Sequence, residues 1–218
     1  GSSATSAVNL VRTGQPNLRI LNPLDFDRRH SFSLTFDLRY PEHNYNGPVI
    51  RRSLGGDKIE EYRILQNTGL SVTLTGGSGT PYSKSSNVVS DILGGGNPQL
   101  QGMINGSRLP WAFRIDARLD RDIVLRAKSE GEKKRKEIKM NVYLEVLNVL
   151  NAKNIIAVYR STGNPDDDGY LSAPEYQAGI NAQNDPEAFR LLYSLRVDNP
   201  YHYSLPRRTR LGIILNLN

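Results

Sequence analysis

Polarity alternates with a period of two along much of the chain, the pattern of strands with one apolar and one polar face. From His30 to Tyr40, the side chains of Phe32, Leu34, Phe36, Leu38 and Tyr40 share one face, and Ser31, Ser33, Thr35, Asp37 and Arg39 share the other. Leu70, Val72 and Leu74 alternate with Ser71, Thr73 and Thr75 until Gly76 and Gly77 break the run, which predicts a second strand starting near Tyr62. From Trp111 onward, Phe113, Ile115, Ala117 and Leu119 oppose Arg114, Asp116, Arg118 and Asp120. Glu137 to Leu150 sets Val142, Leu144 and Val146 against Asn141, Tyr143 and Glu145. Arg210 to Asn218 sets Leu211, Ile213, Leu215 and Leu217 against Arg210, Gly212, Asn216 and Asn218, and Asn154 to Arg160 reads as a shorter strand.

The connections between these runs differ in length. Lys128 to Lys136 is a charged turn between antiparallel strands. Gly76 to Pro110 and Ser161 to Arg207 are far longer than compact domains tolerate unless the connection is functional. Short turns alternating with long loops are a habit of outer-membrane barrels. Within the last loop a helix is expected to start at Ser172 or Pro174, with Glu175 in its first turn, to break over Asn181 to Asp185, and to resume from Pro186 to Tyr193. Gly1 to Ala7 and Pro41 to Asp57 read as linkers. The fold class expected is all-β: an antiparallel transmembrane β-barrel segment, about five or six strands of a larger barrel, with long outer loops and a short helix in the last. Water-soluble sandwiches and barrels alternate too. Strands of about 9 to 11 residues with a wholly apolar face suit a bilayer better than the usual five or six.

Composition narrows the choice. At 38% hydrophobic, 218 residues carry little material for a conventional core. No run approaches the roughly 18 apolar residues of a membrane helix, which excludes a helical membrane protein, and no secretory leader opens the chain. A mean hydropathy of −0.50 is still compatible with a barrel, because barrel strands are short and alternate. The first residue is Gly1 and not Met, so either a leader was removed or the segment is cut from something longer. The absence of cysteine excludes disulfides, thiol nucleophiles and thiolate metal sites. The net charge of +6 is scattered apart from Lys133, Lys134, Arg135 and Lys136, which argues against nucleic acid as a partner.

The most specific local motif runs from Asn164 to Glu175. With Gly169 as the sixth position of a calcium loop, side-chain oxygens fall at positions one (Asn164), three (Asp166), five (Asp168), nine (Ser172) and twelve (Glu175), with the carbonyl of Tyr170 at seven. Calcium takes six to eight oxygens, so this spacing would wrap a Ca²⁺ ion, with Gly169 making the sharp turn and Glu175 closing the cage with both oxygens. Leu171 would anchor the loop against apolar neighbours. Asn164 stands where Asp is usual, and a strand precedes it, so the site would be strand-loop-helix and of modest affinity. The competing reading is an acidic turn, which Asp, Gly and Pro make without metal.

No catalytic arrangement competes, and no enzyme is expected. His30, His43 and His202 are widely separated. Gly76 to Gly79 and Gly94 to Gly96 lack the flanking residues of a phosphate loop. Asp116, Asp120 and Asp122 alternate with Arg114, Arg118 and Arg121, which reads as a lumenal charge ladder. Tyr159, Tyr170, Tyr176, Tyr193, Tyr201 and Tyr203 gather around the last loop, most of them as an interfacial aromatic girdle.

Several short segments in order carry a family resemblance: Leu24-Asp25-Phe26-Asp27-Arg28-Arg29-His30 before a strand, Ser78 to Ser83, Leu109-Pro110-Trp111, Leu144 to Asn151 followed by Asn154, and Leu205-Pro206-Arg207-Arg208. Together, from about Pro23 onward, they resemble the C-terminal barrel region of TonB-dependent receptors of the Bacteroidota. That resemblance implies an outer-membrane location, a passage for a nutrient, and an N-terminal loop segment 1–22 ahead of barrel residues 23–218, with the calcium-binding outer loop at 161–206. The partners it implies are the remainder of the barrel and its plug, the inner-membrane energy-coupling protein TonB and outer-membrane lipid, with a surface lipoprotein as a further candidate. The chain has no plug or energy-coupling box of its own, and its last residues, Leu217-Asn218, depart from the aromatic ending common in the family. If the last strand runs inward, the turn at Lys128 to Lys136 is periplasmic and the acidic loop lies outside. The alternative is a calcium-dependent soluble or cell-surface β-domain that binds polysaccharide or protein.

Overall fold

A computed structural model of the chain describes residues 21–53, 59–90, 92–94, 97–127 and 136–217. The expected N-terminal linker Gly1 to Ala7 and most of the turn at Lys128 to Lys136 lie outside these residues. The chain divides into two compact units: one made of Phe32–Gly76, Phe113–Ala152 and Leu205–Asn218, the other of the segment up to Ser31, Gly77–Ala112 and Lys153–Ser204.

The first unit is built on an antiparallel five-stranded sheet. Its strands are β1 (Ser31–Tyr40), β4 (Thr68–Gly77), β7 (Ala112–Ala127), β8 (Lys136–Leu147) and β9 (Arg208–Leu217), hydrogen-bonded in that order. The sheet is open, with β1 and β9 at its edges. Between β1 and β4 a separate hairpin pairs β2 (Val49–Ser53) with β3 (Ile59–Arg63). This hairpin corrects two expectations: part of the supposed linker Pro41 to Asp57 is strand, and the run near Tyr62 does not continue into β4. Asn67, at φ 59, makes the turn between β3 and β4; its N–H donates to Tyr40 O and its carbonyl accepts from Asp122 N, both at 2.8 Å.

Register carries the alternation across the sheet. Leu119 lies opposite Leu144, which lies opposite Leu211, and Ile123, Met140 and Leu215 form a parallel row. One residue out of phase, Arg118, Glu145 and Arg210 line up on the other face. There Arg39 reaches Asp120 at 3.3 Å, Arg210 reaches Glu145 at 3.5 Å, and Asn141 Nδ2 donates to Asp120 at 3.0 Å and Asp122 at 2.6 Å. Asp120 is 6% exposed within this network. Arg121 is not part of it. Its register partner is Val142, on the apolar face, because an odd position cannot share a side with Asp120 and Asp122 when the period is two.

The apolar face is uncovered. Leu34 is 63% exposed and Leu211 76%, and Phe32, Phe36, Ile213 and Leu215 are also exposed. Among the described residues the buried apolar side chains are Leu109, Tyr159, Ala173, Ile180, Tyr193 and Val197, and all belong to the second unit.

That unit has its own small core. Tyr159, Tyr193 and Val197 pack with Ile92, Tyr170, Leu171 and Phe189. Two helices contribute, α1 (Pro174–Asn181) and α2 (Pro186–Val197), each opened by proline where a missing N–H costs nothing. Asp185 caps α2 by accepting from Ala188 N at 2.9 Å, and α2 runs one turn beyond the expected Tyr193. The two-residue strands β5 (Pro81–Tyr82) and β6 (Ser107–Arg108) pair nearby, and a 3₁₀ turn spans Pro200–His202. The strand expected over Asn154 to Arg160 does not form: Ile155 makes a single bridge to Tyr203. No described helix is long and apolar enough to cross a membrane.

Candidate functional site

The acidic loop folds on itself through side-chain turns. Asn164 Oδ1 accepts from Asp166 N at 3.0 Å, Asp167 Oδ1 from Gly169 N at 2.8 Å, and Asp168 Oδ1 from Tyr170 N at 3.0 Å. Each is an Asx turn, the local bond that Asn and Asp form with their own backbone two residues on. Gly169 sits at φ +83, a conformation that costs a residue with a Cβ about 1–2 kcal/mol. Its carbonyl accepts from Ala173 N at 3.0 Å and from Ser172 Oγ at 3.1 Å, which turns the chain into α1. Upstream, Ser161 Oγ donates to Asp168 O at 2.6 Å, and Thr162 Oγ1 donates to Asp167 O.

Tyrosines meet one further oxygen of Asp168 and one of Asp166. Asp168 is 1% exposed, and its Oδ2 accepts from Tyr193 Oη at 2.6 Å. Tyr193, 4% exposed, stands 2.8 Å from Ser90 Oγ, which in turn accepts from Leu93 N at 3.0 Å. Since the phenol proton goes to Asp168, the serine hydroxyl donates to the phenol, and the chain Leu93 to Ser90 to Tyr193 to Asp168 is polarised in one direction. Burial, then the bond to Asp168, hold the Tyr193 phenol well above its ordinary range. Asp166 Oδ2 accepts from Tyr203 Oη at 2.5 Å, and that bond pushes the Tyr203 phenol up to about 12. His202 Nδ1 donates to Pro165 O at 2.6 Å.

Of the six residues that the spacing nominated as calcium ligands, the loop brings Asn164, Asp166, Asp168, Tyr170 and Ser172 into one braid. Glu175 stands apart, exposed in the first turn of α1. Asn164, Asp166, Asp168 and Ser172 each use side-chain oxygens within the protein. Among the described residues no group of three or more carboxylate, imidazole or thiol side chains is gathered to hold an ion. Leu171 packs against the core, as expected.

Sequence reasoning missed Tyr193, Ser90 and Tyr203 as partners of this loop. The spacing of Phe189, Tyr193 and Val197 at every fourth position on α2 could have marked Tyr193 as inward. Ser90 carried no signal. The aromatic girdle is not what most of these tyrosines form: Tyr170 lies between Tyr176, at 4.3 Å, and Tyr193, at 4.9 Å, while Tyr159 is buried with its hydroxyl on Val197 O at 2.8 Å. Tyr201 alone points outward at 84% exposed.

Beside this braid opens a shallow cleft of about 450 Å³, bordered by Ser85, Asn87, Ser90, Arg160 and Ser161. Its serine hydroxyls are engaged, Ser85 with Asn87, Ser90 with Tyr193 and Ser161 with the Asp168 carbonyl. Comparison with protein-family models, with curated proteins and with solved structures finds no match.

Proposed function

We propose that this chain forms part of an outer-membrane β-barrel of the TonB-dependent receptor kind, which passes a nutrient across the membrane. One observation carries the reading: a sheet of long strands leaves uncovered a face that is apolar apart from Arg121, while the buried apolar side chains among the described residues lie in the other unit. In water a sheet must bury such a face against a second layer. In lipid the same face needs no cover, and the hydrogen-bonded ladder satisfies the backbone. The opposite face, with its arginine, aspartate and asparagine network, suits a wet interior.

The free edges of β1 and β9 fit the same reading, because lipid tolerates no open edge and further strands must pair there to close a barrel. β4 and β8 run in the same direction, so the long connections 78–111 and 148–207 leave the sheet at one end. In the resembled receptors that end faces outward, where the loops meet cargo. A plug, TonB and a surface lipoprotein are the partners this reading brings with it. The expected calcium is not part of it, because Asn164, Asp166, Asp168 and Ser172 already spend side-chain oxygens on protein partners and Glu175 stands apart from the loop.

The chain has no native cysteine, so single labels are easily placed. Cysteines introduced at Phe36 and Ile213 on the apolar face, and at Thr35 and Thr73 on the polar face, would carry a fluorophore in lipid vesicles. Lipid-soluble quenchers should reach the first pair, and water-soluble quenchers the second. If the chain is soluble and monomeric without detergent, with the Phe36 and Ile213 labels shielded from both quenchers, the soluble β-domain takes the place of the barrel.

A further inference from the structure

We infer that the acidic loop 164–175 is a metal-independent fastener: Asp168 holds Tyr193, and Tyr193 ties the connection 153–204 to the connection 77–112 through Ser90. The inference concerns the second unit alone and stands whether or not the sheet lies in a membrane.

Three features support it. First, the loop closes without an ion: Asx turns engage Asn164 Oδ1 and Asp168 Oδ1, and tyrosines engage Asp166 Oδ2 and Asp168 Oδ2, so four of the six to eight oxygens that calcium would need have protein partners. Second, Asp168 is the end of a polarised chain that begins on the other connection, at Leu93 N and Ser90 Oγ. A buried carboxylate is costly unless its oxygens are met by donors, and bonds to an ionised acceptor are roughly twice as strong as neutral ones. Here both oxygens are met, one by Tyr170 N and one by the Tyr193 phenol. Third, the two connections are cross-tied at neighbouring points, with Tyr176 Oη donating to Val88 O and Ser85 N to Arg160 O, each at 2.8 Å. The Asp168 to Tyr193 bond therefore sits inside a contact that is already knit. A cation bound at Asp168 Oδ2 and Asp166 Oδ2 would compete with the phenols of Tyr193 and Tyr203.

Asp168 and Tyr193 are positioning residues in this account. Their job is to keep two loops in one shape with no external ion to add or remove.

The full chain, folded in detergent or lipid, allows the test. Trp111, the single tryptophan, belongs to this unit and reports its unfolding by fluorescence. The thermal midpoint of the wild type should be the same in excess calcium and in excess chelator. A midpoint that rises with calcium would overturn the inference without any variant. Tyr193→Phe leaves the Asp168 oxygen buried without its donor, so proteolysis within the two connections should quicken by roughly ten- to a hundredfold. Tyr203→Phe, whose partner Asp166 is exposed, should have a much smaller effect. Unchanged proteolysis in Tyr193→Phe would also sink the idea, whereas a lipid-exposed or dry sheet face leaves it intact.

Discussion

The carbonyl oxygen of Leu109 occupies the space where a side chain on Gly79 would begin: a Cβ built there would stand 1.8 Å from it. Backbone presses on backbone, with Leu109 N donating to Thr80 O at 3.0 Å next door. Gly79→Ala must therefore part the two segments and should cost on the order of 3 kcal/mol or more. Gly212 offers a contrast. The nearest atoms to a Cβ there belong to the tip of the Tyr143 ring, at 2.3 Å, and the ring can swing aside at the expense of its 4.2 Å stack with Arg118. Gly212→Ala should cost about 1 kcal/mol. Denaturant unfolding of both variants checks the ranking, and equal costs would contradict it.

Asn148 is 2% exposed at φ 56, with Nδ2 donating to Ala152 O and Leu205 O and Oδ1 accepting from Ala152 N. It ends β8 and holds the start of the return segment. Asn148→Ala removes three bonds and adds backbone strain, for about 2–4 kcal/mol. Asn148→Gly removes the same bonds but not the conformation and should be milder by about 1 kcal/mol. Unfolding midpoints of the two variants separate the contributions.

Raising the pH should loosen the second unit. The Tyr203 phenol is held at about 12 against an ordinary 10.0 by its bond to Asp166. A phenol with a raised value in the fold stabilises it fully below the unfolded value, and that contribution fades as pH rises through the folded one. The Tyr203 contribution is thus lost between about pH 10 and 12. The Tyr193 contribution, raised by burial first and then by Asp168, begins to fade above the same ordinary value of 10.0 and lasts to higher pH. Tyrosinate absorbance followed alongside Trp111 fluorescence should show stability falling across this window, less steeply in Tyr203→Phe. A wild type with constant stability throughout would refute the linkage.

A lysine on the apolar face tests the sheet's surroundings. Ile213→Lys, in the middle of β9, should cost about 2–4 kcal/mol in lipid, as cations do near the midplane of a barrel wall. Thr35→Lys, on the polar face of β1, should cost little. Unfolding of the reconstituted chain measures both, and a harmless Ile213→Lys would count against lipid on that side.

Much of the fold was legible because alternation is local. Phe32 to Leu38 and Leu211 to Leu215 declare an oily face whatever pairs with it, and the prolines at 174 and 186 mark where helices begin because a missing N–H is tolerated only in a first turn. Arg121 reads from the sequence as part of the charge ladder, although its odd position sets it on the apolar side, opposite Val142. The hairpin near Val49 stayed hidden, since two strands of five residues look like polar linker until they pair.

The acidic loop marks the boundary. From sequence alone Asn164 to Glu175 is a set of oxygens at calcium spacing, and spacing cannot say which way each carboxylate turns. Tertiary structure decided that, by bringing Tyr193 from 25 positions downstream and Ser90 from the other connection onto Asp168. A hydrogen bond is made by atoms that meet in space: the helical spacing around Tyr193 marks it as inward but does not say which carboxylate it meets, and Ser90 and Tyr203 leave no periodic trace.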